Sequence, residues 1–326
     1  MARLLKDKMF LTGFLFLSVM VLLSAGNSFF NDGKISQTVL TYDAEGELAG
    51  VPPYPPSLKH PLGTDKDGYH MLHIIVQGSQ YTIGIALFIT FIRVGISYCI
   101  GSFISAYLPK STGFFRGLSE PFAFIPQTVF AVFLLSPVLI MPFEGFQEPF
   151  WQRALYEVIV LSVLGWPTLS QHIAEVMKGY WGQDFVACSK TLGGSRFYIF
   201  RKHISRWFRK EGFLLFIQQF IQVLTILAHL GLLELFFGGT HIDYGGDSPP
   251  KTISYEWSGL IGDYYPLRGQ YPWISLSVIL FFALTILALN IMLSAAERVL
   301  QENNSPAALK RVRSDKKIKK TIDEPM

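Results

Sequence analysis

The apolar residues of this chain gather into six long runs, at roughly 9–28, 80–107, 116–141, 154–175, 212–238 and 271–296. A helix needs about 20 mostly apolar residues to cross the hydrocarbon of a bilayer. The pattern therefore predicts an all-α, polytopic membrane protein with six transmembrane helices and both ends on one side. Two polar stretches stand out between the runs. Residues 29–78 contain Pro52-Pro53-Tyr54-Pro55-Pro56, which predicts an extended, stiff connection in place of a packed domain. Residues 176–211 are basic and amphipathic. The predicted organisation is an N-terminal transmembrane helix (1–28), an extracellular loop (29–78), a transmembrane domain (79–300) containing the cytoplasmic loop 176–211, and a basic cytoplasmic tail (301–326).

Composition agrees with the pattern. Half the residues are hydrophobic, 16% are charged and the mean hydropathy is +0.33, whereas soluble domains carry roughly 25% charged residues. Lys and Arg are unevenly divided: with the N-terminus inside, 21 of the 28 fall on the cytoplasmic side and 6 on the outer side, as the positive-inside tendency requires. The net charge of +4 thus describes sidedness and gives no hint of nucleic acid. The tail carries Lys310, Arg311, Arg313, Lys316, Lys317, Lys319 and Lys320; its composition predicts disorder and contact with anionic lipid head groups. Arg3, Lys6 and Lys8 before an apolar run ending Ser24-Ala25-Gly26 resemble a signal peptide. The run from Met9 is, however, longer than the usual h-region of about 7–15 residues, which favours an uncleaved first helix.

Residues 184–208 hold an amphipathic run, a Gly193-Gly194 break and a second, basic amphipathic run, which predicts two short helices joined at a hinge. Such a unit either lies on the lipid surface or offers apolar knobs to a groove on a soluble partner.

Polar residues inside membrane spans usually face the bundle interior or a watery cavity. Gln218, Gln222, Thr225 and His229, spaced i, i+4, i+7 and i+11, share one face of the fifth predicted helix. They line a translocation path or hold helices together by hydrogen bonds. Arg93, Glu157 and Glu234 are weaker candidates that snorkelling or a simple ion pair would explain. Gly84, Gly95, Ser97, Gly101, Ser102 and Ser105 suit close helix packing in the second span.

Enzyme chemistry finds no support. The chain has no G-x-x-x-x-G-K-[ST] loop to wrap nucleotide phosphates, and no G-x-S-x-G or H-E-x-x-H. Cys99 and Cys188 match no zinc or iron–sulfur spacing and are not expected to pair. His60, His70 and His73 lack a carboxylate shell and read as polar surface more readily than as a metal site. No cofactor or metal is expected.

Four stretches together resemble the permease subunits of oligopeptide and dipeptide ABC transporters, C-type, over about 60–320: His60-Pro61-Leu62-Gly63-Thr64-Asp65-Lys66-Asp67-Gly68 before the second span, Gly165-Trp166-Pro167, the loop with Gly193 and His203-Ile204, and Trp257-Ser258-Gly259-Leu260-Ile261 followed by Pro272-Trp273. The loop is similar to the family's EAA loop, with Ala187-Cys188-Ser189 in place of Glu-Ala-Ala, and Arg206 where a Pro is common. Tyr69-His70 replaces a common Arg-Asp. The resemblance implies a type I ABC importer permease (MetI-like) fold in the cell membrane of a prokaryote. It also implies import of peptides, a second permease subunit, two ATP-binding subunits, and an extracellular substrate-binding protein. Residues Ala187, Cys188, Ser189, Gly193, Gly194, His203 and Ile204 would then form the loop that couples to the ATPase. Two other readings stay open: a sensor or scaffold that keeps the fold without coupling, and import of nickel or another small solute.

Overall fold

A computed structural model describes residues 4–42, 48–246 and 250–302. Its helices are, in chain order, α1 (Lys8–Phe30), α2 (Met71–Tyr107), α3 (Thr112–Phe124), α4 (Gln127–Leu139), α5 (Phe150–Trp181), α6 (Asp184–Thr191), α7 (Arg196–Ile199), α8 (Ser205–Leu232), α9 (Trp257–Tyr264) and α10 (Pro272–Glu302). Two small antiparallel ladders, β1 (Thr41–Tyr42) with β2 (Leu48–Gly50) and β3 (Thr240–His241) with β4 (Lys251–Thr252), sit in the loops. This is a helical, multi-pass membrane protein.

Four of the six predicted spans stand as single long apolar helices. α1, α2, the rod Arg196–Leu232 and α10 are each long and apolar enough to cross a bilayer. The third predicted span breaks at Ile125-Pro126, where α3 and α4 meet at 68°. Proline has no N–H to continue the ladder and pushes the residue before it out of the helical region; Ile125 accordingly is extended, with ψ at 128°. α5 has 32 residues, a length of about 48 Å, but Glu157, Pro167, Gln171 and His172 lower its apolarity below that of the other four. Among the described residues, four helices qualify singly and five if the bent pair is one span.

α1 is an integral part of the bundle. Gly13 lets it press on α10, since a methyl there would lie 2.6 Å from the Ala288 carbonyl oxygen. Ser24 Oγ donates to the Gln77 carbonyl (2.8 Å), Ser79 Oγ to the Met20 carbonyl (2.9 Å) and Asn27 Nδ2 to Gln77 Oε1 (2.8 Å), tying α1 to α2. At the opposite end Arg298 Nη2 pairs with Asp7 Oδ2 at 2.6 Å. The most extensive helix pair is α2 with α5. Part of the predicted small-residue set serves it: a methyl at Gly101 would lie 2.6 Å from the Ser170 carbonyl oxygen, and Ser102 and Ser105 both face the Met177 sulfur, whereas Gly84 and Gly95 have room for a methyl and are not close-packing positions.

The segment 29–78 is not the extended connection that its prolines predict. His60, Thr64 and Asp65 are buried, and the loop is clamped to the bundle through Gly63, whose φ is +76°. A side chain at Gly63 would run into the Trp273 ring at 2.7 Å. Thr64 Oγ1 accepts from Tyr54 N (2.8 Å), Asp65 Oδ1 accepts from Tyr69 N (2.8 Å) and Asp67 N (3.0 Å), and Tyr264 donates its hydroxyl to Asp65 Oδ2 (3.2 Å). The Gly-Thr-Asp motif is thus a folded staple. α9 lies buried along its whole length beside α8, at a closeness set by Gly231 and Gly262.

The basic tail predicted at 301–326 falls, from residue 303 onward, outside the described residues.

Candidate functional site

Two regions bring chemistry-bearing residues together. The first is inside the bundle, at the break between α3 and α4. Arg93, in the middle of α2, is 1% exposed. Its Nη2 donates to Gln127 Oε1 at 2.6 Å, and Gln222 Nε2 on α8 donates to the same oxygen at 3.4 Å. Gln127 is the first residue of α4, so the chain Arg93–Gln127–Gln222 joins three helices at the opening of a helix in mid-bundle. On the other side the guanidinium lies against Gly165 of α5, where any Cβ would overlap it. The Gly of Gly165-Trp166-Pro167 is therefore the seat of a buried cation.

This corrects the reading of Arg93. It does not snorkel, and among the described residues it has no ion-pair partner; its Nε and Nη1 have no hydrogen-bond partner at all. Glu157 behaves alike: it is buried, and its Oε2 accepts from Gly238 N at 3.1 Å, with no ion pair among the described residues. Glu234 is exposed and closes α8 with a φ of +62°.

The stripe of four polar residues on α8 does not act as one unit. Gln222 enters the chain with Arg93, while Thr225 turns its hydroxyl back to the Ile221 carbonyl at 2.9 Å. Gln218 lies in a separate cleft with His172, Glu211 and Glu297, and His229 is exposed near the far end of the helix. Gln127, which is not among the residues expected from the sequence, is the one that connects Arg93 with Gln222. A polar residue directly after Pro126, in an otherwise apolar run, was the available signal.

The second region is the loop between α5 and α8. α6 ends in a Schellman turn: Gly193 has φ +80°, and Gly194 N donates to the Ser189 carbonyl at 2.9 Å. A side chain at Gly194 would lie 2.7 Å from that same oxygen. The two glycines therefore form a fixed helix stop. Ser195 caps α7, its Oγ accepting from Tyr198 N at 3.2 Å.

The second predicted helix is not short. α7 passes through a π-turn at Phe200–Ile204, with Ser205 N bonding the Phe200 carbonyl, straight into α8. The apolar knobs are also already used: Val186, Ile199, Ile204 and Phe208 form a second buried cluster with Leu169, Ile173 and Met177 of α5. The opposite face is left uncovered and carries Leu192 (88% exposed), Phe197 (62%) and Trp207 (52%). It borders a groove of about 650 Å³ holding Cys188, Ser189, Gly193, Gly194 and His203, and a basic one of about 660 Å³ with Arg201, Lys202, Arg206 and Arg209. Ala187 and Cys188 are exposed, His203 stands between Phe185 and Tyr198, and Ile204 is in the buried cluster.

At the start of α2 and in the segment before it, the His60 and His70 ring centroids lie 4.7 Å apart, those of His70 and His73 5.4 Å, and His60 stacks on Tyr54. Burial, with His60, His73 and Lys59 nearby, holds the His70 imidazole below its usual pKa. Among the described residues, no three His, Cys, Asp or Glu side chains are placed to share a metal ion. Both cysteines are free and exposed.

The chain matches no protein-family model, and a search of curated proteins finds no match to it.

Proposed function

We propose that the chain is a membrane-spanning permease subunit of an ATP-driven ABC importer for oligopeptides or dipeptides, with the MetI-like fold. In this reading a second permease encloses the path with it, and a substrate-binding protein delivers from outside. Two ATPase subunits act on the loop 184–206. The six-span topology with both termini cytoplasmic belongs to the same proposal, α3–α4 and α5 being the third and fourth passes.

One observation carries the reading: the loop is mechanically continuous with the bundle. Its inner face is fused to α5 through the second apolar cluster, and its distal half is one rod with α8. A push on the uncovered face at Leu192, Phe197 and Trp207 therefore moves α8, and with it Gln222, as a lever. Packed interiors transmit displacement because they have little room to absorb it. Transport follows if closure of the ATPase pair supplies that push and the helices alternate between two packings.

The test is co-purification of the tagged chain from gently solubilised membranes, wild type against Leu192→Asp/Phe197→Asp. Both substitutions are at exposed positions, so folding should be kept. Recovery of an ATPase and a second permease with wild type alone supports the coupled transporter. Absence of any ATPase from the wild-type preparation, under conditions that preserve other such complexes, would favour the sensor or scaffold, to which Ala187 in place of an acidic residue already points.

A further inference from the structure

We propose that the break between α3 and α4 is a binding site for a carboxylate, held by Arg93 together with the amides of Gln127 and Gln222. The inference rests on the permease reading only in taking that carboxylate to belong to the transported solute. Three observations meet at one place.

Arg93 is a buried cation without a counter-ion: no carboxylate lies within ion-pair reach among the described residues, and Nε and Nη1 are unpaired. An uncompensated charge in a low-dielectric interior is held at high cost unless something completes it. The guanidinium touches the first residue of α4. A helix start carries amides without intrahelical acceptors and the positive end of the helix dipole, both of which favour an anion. Finally, both glutamines add neutral donors. The single oxygen of Gln127 is already shared by Arg93 and Gln222, which leaves its amide nitrogen to donate outward.

The occupant is a small molecule. Arg93 lies between α2, α4 and α5 and is 1% exposed, so no surface of a macromolecule reaches it. The half-buried Gln127 and Gln222 mark the side from which a solute approaches. The acceptor oxygens of a carboxylate suit several convergent N–H donors better than a halide does.

The experiment uses the full chain in lipid nanodiscs, with trialanine and trialanine amide as probes at constant ionic strength. Binding is read by intrinsic tryptophan fluorescence, Trp166 being next to Gly165, and by thermal protection. Wild type should bind the free acid about tenfold or more tighter than the amide, as loss of a charge-assisted hydrogen bond implies. Arg93→Gln should abolish the difference, Arg93→Lys should keep part of it, and Gln127→Leu, which retains the cation, should reduce it. Equal binding of the two probes by wild type, binding of neither, or an unchanged preference in a folded Arg93→Gln protein would each overturn the proposal. A carboxylate preference in a chain that recovers no ATPase would keep this site and reject the transporter.

Discussion

Gly165 and Arg93 are shaped to each other: the absence of a side chain at 165 is what lets the guanidinium lie flat against α5 while it bonds Gln127. The most extensive helix interface thus has a cation at its centre.

Gly165→Ala should destabilise the bundle, because over-packing of this kind costs about 1–3 kcal/mol and Arg93 is restrained at its far end by Gln127. Adding Arg93→Ala should recover part of the loss. Thermal unfolding of the four proteins of this cycle gives the coupling, and additive effects would show that the two residues do not meet.

Gly193→Ala should loosen the loop by about 1–2 kcal/mol, since a left-handed backbone is strained for an L side chain, and Gly193→Asn should be milder. Hydrogen exchange over 184–199 is the measurement. Equal protection in all three proteins would mean that the turn tolerates a side chain.

Glu256 is buried and accepts from Phe237 N, Gly259 N, Thr252 Oγ1, Ser254 Oγ and Ser258 Oγ. Glu256→Ala removes the acceptor of all of these donors, Ser254 Oγ keeping a second one in the Phe237 carbonyl, and should cost about 3 kcal/mol or more, detaching the turn before β3 from α9. Glu256→Gln should cost less. Unfolding midpoints and proteolysis between 233 and 257 will separate the two variants.

The Asp65 staple should make stability depend on pH. Burial raises its carboxyl from 3.8 to about 6, so the folded chain holds a proton there that the unfolded chain releases earlier. Stability is therefore fully present below about pH 4 and declines as pH rises toward 6, by about 2 kcal/mol. Asp65→Asn should flatten this slope. Denaturation of both proteins between pH 4 and 7 decides it, and parallel curves would assign the slope to other groups.

Hydropathy alone made the helical, membrane-crossing character legible, because five of the six runs fall largely in helices whose lengths match them or exceed them, and four of those helices are apolar enough to cross a bilayer. It does not show the 68° break, since a hydropathy average over about 20 residues smooths out Pro126 and the polar Gln127-Thr128 pair after it. The period puts Gln218, Gln222, Thr225 and His229 on one side of α8, yet a one-dimensional period cannot say which of them meets another helix; among the described residues Gln222 alone of the four hydrogen-bonds across to one. Arg93 was undervalued because its support comes from Gly165 and Gln127, one 72 positions and the other 34 positions away. The staple at 60–70 was hidden for the same reason, its clamps being Tyr264 and Trp273.

The π-turn at Phe200–Ile204 has a further consequence. Each residue of an α-helix advances the chain by about 100°, so one extra residue in a turn offsets everything before it from everything after it. Ile199 and Ile204, five apart, share the buried side only because of that offset. Deleting one residue here would leave a regular rod but swing Phe197, Tyr198 and Arg201 by about 100° relative to Gln222. The rod therefore has two rotational phases, one for the loop surface and one for the interior, and the turn sets the angle between them.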